Sequence, residues 1–297
     1  MKVDVAIVNA FIDDQAINGG SGNGGSGGNP AGVVLDADKY SNRQKLAIAK
    51  EVGLSETAFV SSSKVADIKL EFFTPERQIA HCGHATVATF SYLNQQGVIT
   101  KSDSSKETID GNRNIKLIGN KAYMEQLAPT YSSVKDDKAQ ILNALHITED
   151  QLISDPKLVN TGNAFILIGV KSNTVLASIE PNQQAIERLS EKYDLIGFYV
   201  FTLETHQEGR DAATRMFAPR YGIAEESATG MAAGPLACFL FDYLDQDKAT
   251  FFIEQGYAMQ PSSPSMIEVK LTLENAAIKS LIAGGVGKVT RHITVDI

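Results

Sequence analysis

Cysteine is scarce in this chain: Cys82 and Cys238 are the only two among 297 residues. Two thiols make no disulfide framework, so the composition points to a reducing compartment, and a cytoplasmic setting is expected. Positive charge is also short. With 27 Lys and Arg against 35 Asp and Glu, the net charge is −8, which argues against nucleic acid or an anionic membrane as a partner. It does not argue against a small anionic substrate, because a local cationic pocket can sit in an acidic protein. No apolar run approaches the ~18 residues of a membrane span, and the first residues lack the basic and apolar regions of a secretory signal. Regular βαβ alternation is missing as well, so the pattern is α+β with many short strands. What is present, 43% hydrophobic and 21% charged residues, is an ordinary globular composition, and the length allows two domains that each bury a core.

The stretch Phe72–Leu93 stands out. It reads as a strand end, a proline turn, a polar knot at His81-Cys82-Gly83-His84, and a helix with Ala85, Val87, Ala88, Phe90, Tyr92 and Leu93 spread round its girth. A helix apolar on nearly every side belongs inside a core, and its first-turn N–H groups are ready donors to an anion. The pattern returns about half a chain later. Phe217-Ala218-Pro219 echoes Phe73-Thr74-Pro75, Thr229-Gly230-Met231-Ala232 echoes Cys82-Gly83-His84-Ala85, and Phe241-Asp242-Tyr243-Leu244 echoes Phe90-Ser91-Tyr92-Leu93. Two copies of one unit are expected, 1–128 and 129–297, with a few C-terminal residues returning to the first and the active site between them. Gly28-Asn29 and Gly162-Asn163 are offset by fewer residues than the later pairs. The glycine-rich tract 19–28 therefore reads as an insertion into the first copy. Residues 22–27 satisfy G-x-G-x-x-G, but no helix follows directly, so a surface loop is expected rather than a dinucleotide cradle.

Local signals set the elements. Residues 2–11 alternate as a half-buried strand. Ser41 or Asn42 caps a helix that Gly53 stops. Strands are expected at 54–60, 68–72, 114–118, 121–127, 164–170, 196–203, 213–218, 250–254, 266–273 and 289–295. Helices are expected at 137–146, 182–190 and 231–244, with Pro235 tolerable only in a first turn and Gly284-Gly285 as a turn.

Several side chains could carry chemistry. Glu56 lies between apolar runs, where burial would raise its carboxyl towards a range useful for proton transfer; the alternative is a strand-end glutamate capping a turn. His81 and His84 have H-x-x-H spacing, but no third ligand lies nearby in sequence and no metal is expected. Cys82, at a helix N-terminus, is either a thiol of lowered pKa or a small buried residue. Glu225 and Glu226 precede the second core helix, where carboxylates complement the helix dipole.

Gly28-Asn29-Pro30-Ala31-Gly32, Leu54-Ser55-Glu56-Thr57-Ala58-Phe59, Phe73-Thr74-Pro75, Cys82-Gly83-His84-Ala85-Thr86, Ala228-Thr229-Gly230 and Glu254-Gln255-Gly256 together resemble the PhzF-like isomerase family of phenazine biosynthesis. The resemblance implies two pseudo-repeated domains, each a β-barrel-like sheet wrapped round a central helix, as in diaminopimelate epimerase. It also implies a homodimer and cofactor-independent isomerisation, in which a glutamate moves a proton between carbons of a small anionic, cyclic metabolite. Glu56 matches the catalytic glutamate. His84 and Glu226 would relay protons or position substrate, and Ser55, Gly83, Thr229, Gly230 and Met231 would line the substrate. The chain departs from the family pattern at Glu226, Ser227 and Met231, where aspartate, proline and serine are usual, and at Gln260-Pro261-Ser262, where an arginine is missing. The rival readings are a thiol-type racemase or epimerase of the same fold and a metabolite-binding homologue without catalysis. Thr229 in the position paired with Cys82 weighs against the first.

Overall fold

The computed structural model describes residues 1–18 and 27–297, so residues 19–26 of the glycine tract lie outside the described residues. The chain divides into two units. Unit 1 comprises Met1–Ile12, Gly28–Glu125 and Gly284–Ile297, and unit 2 comprises Asp13–Gly27 and Gln126–Ala283.

In unit 1, β1 (Lys2–Ala10) runs antiparallel to β2 (Asn29–Val34), which runs parallel to β3 (Thr57–Ser61). The antiparallel β4 (Ile68–Phe73) follows. β4 takes β5 (Gln78–Ile79) antiparallel and β6 (Asp103–Thr108) parallel. β7 (Gly111–Ile118) and β8 (Lys121–Leu127) continue antiparallel. β8 pairs with the last strand of the chain (Ala277–Asp296), and that strand pairs with β1, which closes a barrel. The helix Gly83–Gln95 is buried at every position from Gly83 to Leu93. Such a helix is stable only where apolar side chains surround it on all sides.

Unit 2 repeats these pairings. β9 (Thr130–Ser133) and β10 (Lys157–Asn160) are antiparallel. β10 and β11 (Ala164–Gly169) are also antiparallel, as β1 and β2 are. β11 runs parallel to β12 (Gly197–Thr202) and β12 antiparallel to β13 (Ala212–Ala218). β13 takes β14 (Ile223–Glu226) antiparallel and β15 (Thr250–Gln255) parallel, and β16 (Ser265–Glu274) closes the series antiparallel. The strand beginning at Ala277 is β17. Its central helix, Gly230–Tyr243, is buried from Ala232 to Leu240. The sequence echoes are thus one topology used twice.

A layer of helices covers the outer sheet faces. In unit 1, Asn42–Val52 starts at a capping box of Ser41 and Gln44 and ends at Gly53 with φ 68°. It buries Ile48 and Ala49 in a cluster with Val5, Val34, Phe59 and Phe73, the valine, isoleucine and phenylalanine side chains each worth about 1.5–3 kcal/mol. Buried Lys45 of this helix pairs with buried Glu71 of β4, which fixes helix to sheet by charge as well as by packing. In unit 2, Lys138–Ala144 and Gln183–Tyr193 cover β11–β13 through Ile141, Ile186 and Leu189 against Ile166, Phe198 and Phe217.

Two local expectations are corrected. Pro235 is the sixth residue of its helix, not a first-turn residue, so it removes the N–H that would bond the Met231 carbonyl one turn earlier. Gly284-Gly285 is no turn but lies within β17. A Cβ on Gly284 would stand 2.1 Å from the Ala122 carbonyl oxygen, so the glycine serves a close backbone approach. Gly284→Ala is therefore expected to lower the melting temperature by several degrees, through displacement of β8 in unit 1, whereas a turn role would leave it nearly unchanged. Among the described residues no helix is long and apolar enough to cross a membrane.

Candidate functional site

β3 begins at Thr57, three residues later than its apolar run begins, which leaves Ser55 and Glu56 in the turn that enters it. The Glu56 carbonyl accepts from the Gly32 N–H at 3.1 Å. This holds the turn to β2 and puts the Glu56 carboxylate inside the protein at 7% exposure. His84 is the second residue of the buried helix Gly83–Gln95, and Cys82 is its N-cap, with no side-chain cap bond. His84 Nε2 lies 3.2 Å from Glu56 Oε2, and His84 Nδ1 lies 3.6 Å from Cys82 Sγ. The imidazole is 4% exposed and faces carboxylate and thiol on its two edges.

The electrostatics differ from the sequence reading at two residues. Burial pulls the Glu56 carboxyl upward, as expected, but the hydrogen bond and charge of His84, with Ser55 beside it, overcome burial and leave it below the usual glutamate value. Glu56 is therefore a carboxylate at neutral pH. Burial pushes the Cys82 thiol up, and the charge of His84 offsets this only in part, so the lowered thiol pKa expected at a helix N-terminus is absent. His81 does not join this group. Burial, with the nearby charge of Lys106, holds its imidazole down at about 4.

Behind the same turn stands Lys106 of β6, which no sequence signal marked. It is fully buried. Its Nζ donates to Thr86 Oγ1 at 2.6 Å and lies 4.9 Å from the centre of the Phe72 ring. Thr86 Oγ1 donates in turn to the Cys82 carbonyl at 2.6 Å, which ties the turn carrying Gly83 and His84. Burial drives the lysine down to about 7. An unfolded lysine keeps its proton to about pH 10. Between these values the unfolded chain binds the extra proton, so this residue makes stability rise with pH, and its full penalty is felt below pH 7. Lys106→Met is expected to stabilise the protein by a few kcal/mol at pH 6 and by clearly less at pH 9, read from denaturant unfolding at both values. An equal gain at both would show that Lys106 carries no buried charge.

The remaining sequence candidates lie together in unit 2. Glu226 ends β14 and accepts from Thr229 Oγ1 at 2.5 Å. Gln255, quoted within a motif but given no role, organises them: its Nε2 donates to the Glu226 carbonyl at 2.7 Å, and its Oε1 accepts from the Thr229 N–H at 3.1 Å. Tyr199 donates to the same Oε1 at 3.0 Å. Thr229 caps the helix that begins at Gly230, and Met231 Sδ lies 3.5 Å from Asn163 Nδ2. Glu225 has a different task from the helix-dipole role read in sequence: it is held bidentate by Arg215 at 2.9 and 2.8 Å.

Comparisons with known proteins agree with this architecture. The family model described as phenazine biosynthesis-like protein matches residues 23–290. An uncharacterized isomerase of Clostridium acetobutylicum is 33% identical over 266 residues, covering 83% of this chain and 86% of the relative. The trans-2,3-dihydro-3-hydroxyanthranilate isomerase of Pseudomonas chlororaphis is 30% identical over 220 residues, covering 72% of this chain and 74% of its own length. The crystal structure of a Bacillus anthracis phenazine biosynthesis protein of the PhzF family superposes with a TM-score of 0.87 at 27% identity over the whole of both chains. A hydroxyproline epimerase from Agrobacterium vitis, at 14% identity and a TM-score of 0.55 over 99% of this chain and 92% of that one, shares the fold.

Proposed function

Because the chain belongs to the phenazine biosynthesis-like family, whose matched relatives bear the names of isomerases, we propose that it is an isomerase moving a proton between carbons of a small anionic, cyclic metabolite. The observation that carries this reading is the buried Glu56 carboxylate with His84 Nε2 at 3.2 Å. Such a carboxylate is ionised and so in the state that can accept a proton from a carbon acid. Glu56 removes the proton, the electron pair enters the conjugated system of the substrate, and the protonated Glu56 returns the proton to a second carbon. His84 steadies the charge that Glu56 loses and regains. In unit 1 the backbone N–H groups near Gly83 hold a substrate carboxylate, as helix starts favour anions, with Ser55 beside them; in unit 2 the N–H groups near Gly230, with Thr229 and Met231, offer the equivalent substrate-facing helix start. Glu226, tied to Thr229, positions substrate or relays protons.

No metal or organic cofactor is required by this scheme. The homodimer and the cytoplasmic setting are part of the same proposal. Thiol chemistry is disfavoured because Cys82 is held as a neutral thiol and Thr229 offers none. The test is deuterium uptake: cyclic hydroxy and amino acids, with trans-2,3-dihydro-3-hydroxyanthranilate included, are incubated with enzyme in heavy water and followed by mass spectrometry. Uptake at carbon in one of them, lost in Glu56→Gln, supports the reading. Binding without any exchange would favour a non-catalytic metabolite-binding protein.

A further inference from the structure

The H-x-x-H spacing of His81 and His84 gave no expectation of a metal, and the fold brings a different set together. Glu56, Cys82 and His84 are the only group among the described residues in which three such side chains bring ligand atoms within 4.8 Å of one another. They come from two places in the chain, the turn entering β3 and the start of the buried helix, and all three are buried at 7% exposure or less. We propose that this trio is a binding site for a thiophilic divalent cation of the zinc class, and that the metal-loaded protein is an inhibited form.

The donor set favours zinc over the hard cations. Thiolate and imidazole select zinc, whereas magnesium and calcium require an oxygen shell. The three ligand atoms lie within 4.8 Å of one another, wider than a closed tetrahedron. Zinc bonds of about 2.3 Å to sulfur and about 2.0–2.2 Å to nitrogen or oxygen set tetrahedral ligand separations of roughly 3.3–3.6 Å. Here the thiol and carboxylate stand 3.6 and 3.2 Å from the imidazole. Those two contacts use opposite ring nitrogens, and an ion takes only one of them. The site therefore closes on Nε2, where Glu56 already lies, only when Cys82 turns about its single side-chain torsion and the thiol releases its proton to solvent. A fourth position stays open to water, as in sites with three protein ligands.

Occupation would arrest proton transfer, because a carboxylate and an imidazole bound to a metal cannot accept the proton that the reaction moves. That consequence rests on the proposed isomerase reading. The binding site itself does not, and its test uses no turnover, so failure of either leaves the other to be judged separately. The full-length untagged protein, freed of metal by chelation, is titrated with cobalt(II) as a spectroscopic stand-in and then with zinc(II), with magnesium(II) as control. The expected result is one cobalt per chain with a thiolate-to-cobalt charge-transfer band that zinc abolishes and magnesium does not. Loss of a metal's outer-sphere partner alone costs about 10–100-fold in affinity. Cys82→Ala is therefore expected to weaken zinc more than about 100-fold, and Glu56→Gln at least about tenfold, as losses of direct ligands. Cys82→Ser is read in place of the alanine variant where the latter does not keep its melting temperature. Absence of the charge-transfer band in the parent protein, or zinc affinity unchanged in the cysteine variants, overturns the proposal.

Discussion

Glu56→Gln is expected to lower turnover by ~10⁴-fold or more while substrate binding and melting temperature stay close to those of the parent protein. General acid–base catalysis contributes ~10²–10⁴-fold, and a sole group that both removes and returns the proton stands at the upper end. Glutamine keeps the shape and still places an oxygen opposite His84 Nε2, now 3.2 Å from the carboxylate, but it cannot take a proton from carbon. Glu56→Asp should be slow for a different reason: its carboxylate is withdrawn by one methylene from the reacting carbon, and small misplacements of a reacting group are costly. The pH dependence carries a further expectation. His84 leaves Glu56 below the usual glutamate value against the pull of burial, so activity should persist on the acid side through the range in which an ordinary glutamate protonates. It should fall only at still lower pH. Deuterium wash-in for parent, Gln and Asp forms, with thermal unfolding of each, separates these outcomes. A Gln form of parent-like activity, or losses that follow melting temperature, would mean that Glu56 is a structural residue of the β3 turn.

The second large effect concerns stability. Lys45 and Glu71 are an ion pair with 5% and 6% of their side chains exposed. Removing one partner from such a pair strands the other charge in the interior and costs about 3–5 kcal/mol. Lys45→Met is therefore expected to destabilise the protein by about that amount. Lys69 Nζ, 4.0 Å from the same Glu71 oxygen and partly in solvent, remains as a weaker second partner, which places the loss at the lower end of that range. The double change Lys45→Met with Glu71→Leu should recover most of the loss, because packed apolar groups in place of a buried pair are often neutral or better. Equilibrium denaturation of the two single variants and the double variant measures the coupling. If the singles lose less than about 1 kcal/mol, as surface pairs do, the pair is not holding the helix Asn42–Val52 to β4.

Much of this was legible from local pattern. The helix Asn42–Val52 was bounded at both ends by its cap and its stop, since Ser41 and Gly53 act on neighbours four residues away or fewer. The two central helices were visible because an all-round apolar girth has one physical meaning, and the recurrence of their flanking motifs showed the duplication. Glycine was misread at Gly284-Gly285 for the opposite reason: a turn is a local property, but the closeness of the Ala122 carbonyl oxygen to Gly284 is set by a strand far away in sequence.

The site divides along the same line. The residues proposed to bear chemistry, Glu56 and His84 in unit 1 and Glu226 with Thr229 in unit 2, were singled out from the order of the amino acids, because motif and helix-start signals are short-range. What those residues are as acids and bases was decided only by the fold. Sequence context suggested a raised Glu56 carboxyl and left Cys82 as either a lowered thiol or a small buried residue. In the tertiary structure the His84 imidazole holds the Glu56 carboxyl down, and burial, only partly offset by the same imidazole, pushes the Cys82 thiol up. The fully buried Lys106 behind the turn and the organising amide of Gln255 were likewise invisible beforehand. Burial and charge–charge distance are sums over neighbours from the whole chain, and no window of sequence contains them.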